Sequence, residues 1–99
     1  MKLRYSRRGA ADVRAAVSWW QANRPLAPGM LREELRRAVA LLKMQPHLGA
    51  PALDVAVKAK DVRRYHLSTA KYFLYYRVTP EGIEVLRLWH TSRGTSPEL

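Results

Sequence analysis

The sequence predicts an α+β protein with the element order β-α-α-β-β-β, in which a helical hairpin covers one face of an antiparallel sheet. Residues 62–67, 72–78 and 83–90 are three strand-like segments joined by short polar linkers. Short joins between consecutive strands are typical of an antiparallel meander. Two amphipathic segments with helical periodicity precede them, and a pair of such helices needs an apolar surface to pack on. One face of the meander supplies that surface.

The middle strand, residues 72–78, is the strongest strand signal in the chain. It reads Tyr-Phe-Leu-Tyr-Tyr-Arg-Val, without Gly or Pro, and aromatic and β-branched side chains of this kind suit a pleated surface. The Thr-Pro-Glu-Gly linker that follows favours a tight turn. Strand alternation places Leu74 and Val78 on the helix-covered face. The last strand, residues 83–90, carries apolar residues on both faces, as expected of a central strand.

The first half of the chain predicts one short strand and two helices. Residues 2–6 alternate and predict an edge strand, and the hydroxyl of Ser6 can cap the helix that follows. That helix is predicted over residues 10–24, because apolar side chains recur there at helical spacing and a proline follows. A second helix is predicted over residues 30–44 on the same periodicity. Residues 51–61 have neither period, so we expect an irregular basic segment with its lysines facing solvent.

Length and composition bound the protein to one small domain. Ninety-nine residues support a single core, so one domain over residues 1–99 is expected, with a flexible tail at 94–99. The chain has no Cys, which excludes disulfides and thiolate metal sites. The opening residues contain no apolar signal core, and no apolar run approaches the length of a membrane span. We therefore expect a soluble protein of the cytoplasm with no membrane partner.

Positive charge is the strongest compositional signal. Lys and Arg number 18 against 8 acidic residues, which gives a net charge of +10, and 13 of the 18 are Arg. Arginine favours forked contacts to phosphate or carboxylate groups. A basic surface of this strength indicates a polyanionic partner, such as nucleic acid, a nucleoprotein machine or an acidic protein. The alternative is that the Arg content only reflects a GC-rich genome.

Most site chemistries find no support in the sequence. The three His residues, His47, His66 and His90, have no metal-ligand spacing and no acidic cluster beside them. The glycines are scattered, so there is no phosphate-binding loop, and no Gly-x-Ser-x-Gly element occurs. We therefore expect no metal, no cofactor and no small-molecule substrate.

The sheet face opposite the helices is the remaining candidate site. Alternation places on it four polar or aromatic side chains, and two more lie near the end of the last strand: Arg64, His66, Tyr75 and Arg77, then His90 and Arg93. Metal-free RNA cleavage needs a base, an acid and a cation for the phosphorane, and His66 or His90 with Arg64 and Arg93 could supply them. The same residues would equally form a binding patch without chemistry, and the histidines could be structural hydrogen bonders.

The element order and three stretches of sequence resemble the RelE/ParE superfamily of type II toxin–antitoxin toxins over nearly the whole chain. The stretches are Val-Arg-Arg-Tyr-His-Leu, the "YRV" strand, and the closing His-x-x-Arg at residues 90–93. The resemblance implies a small bacterial toxin that an acidic antitoxin holds inactive. RelE-like members are ribosome-dependent mRNA endonucleases, whereas ParE-like members poison DNA gyrase without catalytic residues of their own.

Carried over residue by residue, the resemblance favours the ParE-like branch. Arg64 and His66 fall where RelE-like toxins have cations on the first meander strand, and Arg93 lies near their C-terminal Arg. Phe73 stands where the second-strand Arg is expected, and no Tyr follows Tyr76. The His-x-x-Arg ending is also commoner in ParE-like sequences.

The resemblance therefore implies a non-enzymatic toxin that binds DNA gyrase or a similar nucleoprotein target. The expected contacts to the target are Arg64, Tyr75, Arg77, His90 and Arg93. The expected partner is a cognate acidic antitoxin laid against the helical hairpin and the sheet edge. The alternatives are an mRNA endonuclease acting on the ribosome, with His66, His90, Arg64 and Arg93 as its catalytic groups, and a plain RNA-binding module.

Overall fold

Two helices and five strands make up the part of the chain that the computed structural model describes, residues 1–55 and 61–99. In chain order they are β1 (Leu3–Tyr5), α1 (Arg7–Asn23), α2 (Met30–Met44), β2 (Ala50–Pro51), β3 (Val62–Leu67), β4 (Tyr72–Thr79) and β5 (Gly82–His90). The second helix has the predicted bounds. The first begins three residues earlier than predicted.

The strands form one sheet in the order β1-β5-β4-β3-β2. The predicted meander is present, since β3, β4 and β5 pair antiparallel in sequence order. β1 lies at one edge as predicted and runs parallel to β5, which makes the sheet mixed. The predicted α+β architecture, with two helices on one face of the sheet, is confirmed.

Part of the segment predicted to be irregular belongs to the sheet. β2 pairs antiparallel with β3 and adds a fifth strand at the edge, where Ala50 lies opposite Arg64 and Pro51 opposite Arg63. A proline is tolerated there because an edge strand needs no donor on its outer side. The expectation that Lys58 and Lys60 face solvent falls on residues 56–60, outside the described residues.

The main core lies between the helices and one face of the sheet, which we call the back. Its members come from both helices and from β3, β4 and β5, and the most deeply buried are Leu31, Leu42, Leu74, Tyr76 and Val85. The predicted placement of Leu74 under the helices is confirmed. The Tyr76 hydroxyl donates to Pro46 O at 2.8 Å and accepts from the Gly49 N–H at 2.9 Å, so the back core also holds the chain between α2 and β2.

α1 begins at Arg7 because its first turn is fixed from two directions. Ser6 is the N-cap, as predicted, and its Oγ accepts a hydrogen bond from the Gly9 N–H at 3.0 Å. Gly9 then lies directly on the backbone of β5, where a Cβ atom would come within 2.6 Å of Val85 O. The glycine is therefore the residue that lets the helix approach the strand.

A β-bulge in β5 explains why both faces of this strand carry apolar residues. The register between β4 and β5 shifts between Tyr75, opposite Arg87, and Tyr76, opposite Val85. The extra residue, Leu86, packs on the face away from the helices, whereas Val85 and Leu88 both face the back core.

Candidate target-binding surface

The sheet face away from the helices, which we call the front, is partly covered. A second apolar cluster lies on it, formed by Val55, Val62 and Tyr75 with neighbouring Phe73 and Trp89. Tyr75 is only 1% exposed. The prediction that its side chain is open to a target is therefore wrong, because the chain around residues 52–55 folds over this face.

Asp54 is the centre of a polar network on the front. Its Oδ2 accepts hydrogen bonds from the hydroxyls of Tyr75 at 2.6 Å and Ser96 at 3.0 Å. The guanidinium of Arg64 lies 3.3 Å from the same oxygen. Arg64 is thus held in place by a carboxylate, whose negative charge offsets part of the attraction that Arg64 would exert on an anionic partner.

The network shifts the pKa of two groups in opposite directions. Burial raises the pKa of Tyr75 to about 12, and the hydrogen bond to Asp54 adds to this effect. Burial alone would raise the pKa of Asp54, but the hydrogen bonds from Tyr75 and Ser96, with the charge of Arg64, outweigh it and lower that pKa overall. Asp54 is therefore ionised and Tyr75 neutral around pH 7.

We expect Asp54→Asn to lower the free energy of unfolding by about 1–2 kcal/mol at neutral pH. A carboxyl whose pKa is lower in the folded state stabilises above its unfolded-state pKa, and this contribution is lost as the pH falls through the folded-state pKa. The gap between wild type and variant should therefore shrink below about pH 4. Urea denaturation at several pH values measures it. Asp61→Asn is the control, because Asp61 is exposed and its positive φ of 65° suits Asn. A gap that does not change with pH would contradict the network.

Two arginines stack on aromatic rings around a shallow groove at one end of the front. The guanidinium carbon of Arg64 lies 4.0 Å from the centroid of Phe73, and that of Arg93 lies 4.0 Å from the centroid of Trp89. Cations in such positions gain from the ring quadrupole and remain available on their outer side. The groove between them has a volume of about 250 Å³. We call it the front groove; besides these four residues it is lined by Asp54, Tyr75, His90 and residues 91 and 94–96.

Arg77 lies apart from the front groove. It pairs with Val62 at the other end of β3, and its Nη2 donates to Glu84 Oε1 at 2.7 Å. Glu84 also contacts Arg4 at 3.2 Å. The prediction that both arginines are free on an open face is therefore wrong, because Arg64 and Arg77 each face an acid and Arg77 lies outside the front groove.

The two histidines proposed for acid–base work lie on opposite faces of the sheet. His66 is exposed on the front and packs on Phe73, with ring centroids 5.1 Å apart. The ring of His90 packs edge-on against Tyr72, a member of the back core, at 5.0 Å. Its Nδ1 accepts a hydrogen bond from the Ser92 N–H at 3.1 Å. The two imidazoles therefore do not form a pair around one substrate position.

A second groove opens on the helix side of the same sheet end. Its volume is about 500 Å³, and it lies between the last turns of α1 and the end of β5. Trp19 is 48% exposed there, and the guanidinium of Arg24 lies 5.4 Å from its ring centroid. His90 and Arg93 line both grooves. They therefore stand where the front and the back of the sheet meet.

Sequence reasoning missed Asp54, Trp89 and Ser96 as parts of the candidate site. Asp54 was the one with a usable signal, because it is the only acid between Glu34 and Asp61 in a strongly basic chain. In residues 1–55 and 61–99 no group of three or more His, Cys, Asp or Glu side chains could hold a metal ion. No helix in the same residues is long and apolar enough to cross a membrane.

Two helices packed on one face of a five-stranded mixed sheet are consistent with the fold of the RelE/ParE superfamily. The particular family follows from a comparison with protein-family models, in which residues 3–94 match the ParE toxin of type II toxin–antitoxin systems, parDE. The chain therefore belongs to the ParE toxin family.

A solved structure agrees in fold. One chain of the chromosomal ParDE toxin–antitoxin system from P. aeruginosa superposes with a TM-score of 0.71 and 22% sequence identity. The match covers 93% of this chain and 97% of that chain. A search of curated proteins gave no significant match.

Proposed function

We propose that this protein is a ParE-like toxin that inhibits bacterial growth from the cytoplasm by binding a nucleoprotein target such as DNA gyrase. The proposal depends mainly on the family match over residues 3–94. The front groove supports the proposal, because Arg93 stacks there on Trp89 and is exposed just after the end of β5. A charged, planar group on a rigid aromatic base is a common anchor in protein interfaces.

The five predicted target contacts differ in how well their positions suit contact with a target. Arg93 is exposed and makes no ion pair in the described part of the chain, which makes it the strongest candidate for the target. Arg64 and His90 border the same groove, whereas Arg77 lies at the far end of the sheet. Tyr75 contributes by holding Asp54 rather than by contact, because its side chain is buried.

A cognate acidic antitoxin is the second partner that we propose. The net charge is +10, and α1 carries three exposed arginines that make no ion pair within residues 1–55 and 61–99: Arg7, Arg8 and Arg14. Two of them lie in the first turn of α1, which contains no acid, although positive charge is unfavourable at a helix N-terminus. An acidic partner along α1 would relieve this repulsion and associate faster through opposite charge.

Ribosome-dependent mRNA cleavage is the alternative to target binding without catalysis. The opposite placement of the His66 and His90 rings argues against the two-histidine form of that mechanism. With His90 as the sole histidine beside Arg64 and Arg93, one of the two proton transfers would lack a positioned group. We therefore favour binding without catalysis.

Controlled expression in bacteria tests the proposal through two readouts, gyrase-linked DNA breaks and cuts in translated mRNA. We expect breaks without mRNA cuts, and rescue of growth when an antitoxin of a ParDE system encoded beside the gene is co-expressed. Arg93→Ala should weaken toxicity about tenfold, because it removes one interface anchor worth roughly 1–2 kcal/mol. Arg32→Ala is the matched control, an exposed arginine on α2 far from the groove. Codon-positioned mRNA cuts that are lost in His90→Ala would overturn the proposal.

A further inference from the structure

Residues 95–99 do not extend into solvent but lie across the front of the sheet. The sequence predicted a flexible tail, whereas three hydrogen bonds hold this segment, which we call the strap (Thr95–Leu99). Trp89 Nε1 donates to Thr95 O at 2.7 Å, and Ser96 Oγ donates to Asp54 Oδ2 at 3.0 Å. Arg87 Nη1 donates to Glu98 O at 2.7 Å. The three bonds hold the strap at Thr95, Ser96 and Glu98.

The surface beneath the strap has the chemistry of a peptide-binding groove. Two of its donors, the indole of Trp89 and the guanidinium of Arg87, point at backbone carbonyl oxygens of the strap. Pro97 is buried, although it belongs to a segment without regular secondary structure. A buried position for a proline and donors for peptide carbonyls are features of sites that recognise short irregular segments. The groups that fill the site are a proline and two backbone carbonyls, so the contacts favour a peptide.

The strap is separate from the common domain of the family. The family match ends at residue 94, one residue before the strap begins. The groove beside the start of the strap is lined by Arg64 and Arg93. An acidic segment would therefore complement the charge of this surface.

We propose that the strap occupies, in cis, a peptide-binding groove on the front of the sheet, and that a partner protein enters the same groove with a short proline-containing acidic segment after displacing the strap. This inference rests on the proposed function in one respect: the proposed function assigns the same end of the sheet to the target. A segment tethered to its own site competes at an effective concentration of about 1 mM or more. Free peptides of moderate affinity are therefore excluded while the strap is in place.

Fluorescence anisotropy with a labelled peptide of the sequence of residues 94–99 tests this directly. We expect saturable binding to a variant that ends at Gly94, with Kd below about 1 mM, and binding at least about tenfold weaker to the full chain. Ser96→Ala in the full chain removes one bond of the strap without shortening it, so its affinity for the peptide should lie between the two. Ser18→Ala, an exposed serine on α1, is the matched control and should behave as the full chain does.

Three outcomes would overturn the proposal. The first is no peptide binding to the shortened variant while its thermal unfolding stays cooperative. The second, which remains decisive if the shortened variant does not fold, is equal peptide affinity of Ser96→Ala and the full chain. The third is displacement of the peptide by a single-stranded oligonucleotide of about 12 nucleotides at similar concentration, which would assign the groove to nucleic acid. None of these assays uses gyrase or bacterial growth, so their failure is distinguishable from failure of the proposed function.

Discussion

Gly9→Ala should lower the free energy of unfolding by about 2–3 kcal/mol, although alanine is the better helix former. On helix propensity alone the exchange would gain roughly 0.5–1 kcal/mol. The added Cβ, however, would lie 2.6 Å from Val85 O and 3.2 Å from Ser6 Oγ. Val85 is fully buried and paired with β1 on one side and β4 on the other, so its carbonyl has little room to move. The helix must therefore lift from the strand.

Equilibrium denaturation in urea measures this change, and Gly29→Ala provides the matched control. Gly29 precedes α2 as its N-cap, and a Cβ built there meets nothing within 4 Å. Its replacement should cost only about 0.5 kcal/mol. A Gly9→Ala protein that is more stable than the wild type would mean that α1 does not lie directly on β5.

Asp12→Ala should cost about 2–3 kcal/mol. The carboxylate accepts from Arg87 Nε at 2.7 Å and from the Leu88 N–H at 3.0 Å. β1 pairs with β5 only from Ile83 to Val85, so the Leu88 N–H has no partner strand on that side. The Asp12 carboxylate accepts this hydrogen bond instead. Its removal leaves a largely buried guanidinium and a strand N–H without their partner, since the Arg87 side chain is only 15% exposed.

Glu33→Ala separates this effect from the loss of an ordinary ion pair. Glu33 contacts Arg36 and Arg37 on the exposed surface of α2, where water screens the charges. We expect its replacement to have a much smaller effect than Asp12→Ala in the same thermal and urea denaturation series. Equal losses in the two variants would mean that Asp12 acts only as a surface charge.

The element order and the back core could be predicted from the sequence because both follow from local periodicity. The alternation of residues 72–78 and the helical spacing of Met30–Met44 each identify the buried face without knowledge of the partner. The pairing of β1 with the last strand could not be predicted, because three residues carry no signal of their partner or direction.

The front of the sheet was harder to predict, for two physical reasons. The bulge at Leu86 changes which residues of β5 face the helices, and a single extra residue leaves no mark on the apolar pattern of a strand that is buried on both sides. The cover of Tyr75 comes from the irregular chain around Asp54, which accepts hydrogen bonds from the Tyr75 hydroxyl and from Ser96 of the strap. Strand alternation reports only which face a side chain takes, and it contains no information on what lies above that face.

The strand order has a consequence for synthesis. β5 lies between β1 and β4, so the first strand made pairs with the last one, and Ser6 bonds Leu86 across 80 residues of sequence. Contacts over such separations form late and slow the search for the native state. A nascent chain that has not yet exposed Gly82–His90 lacks the strand on which both β1 and α1 are seated. The sheet, and any binding surface that depends on it, is therefore completed only after β5 has left the ribosome.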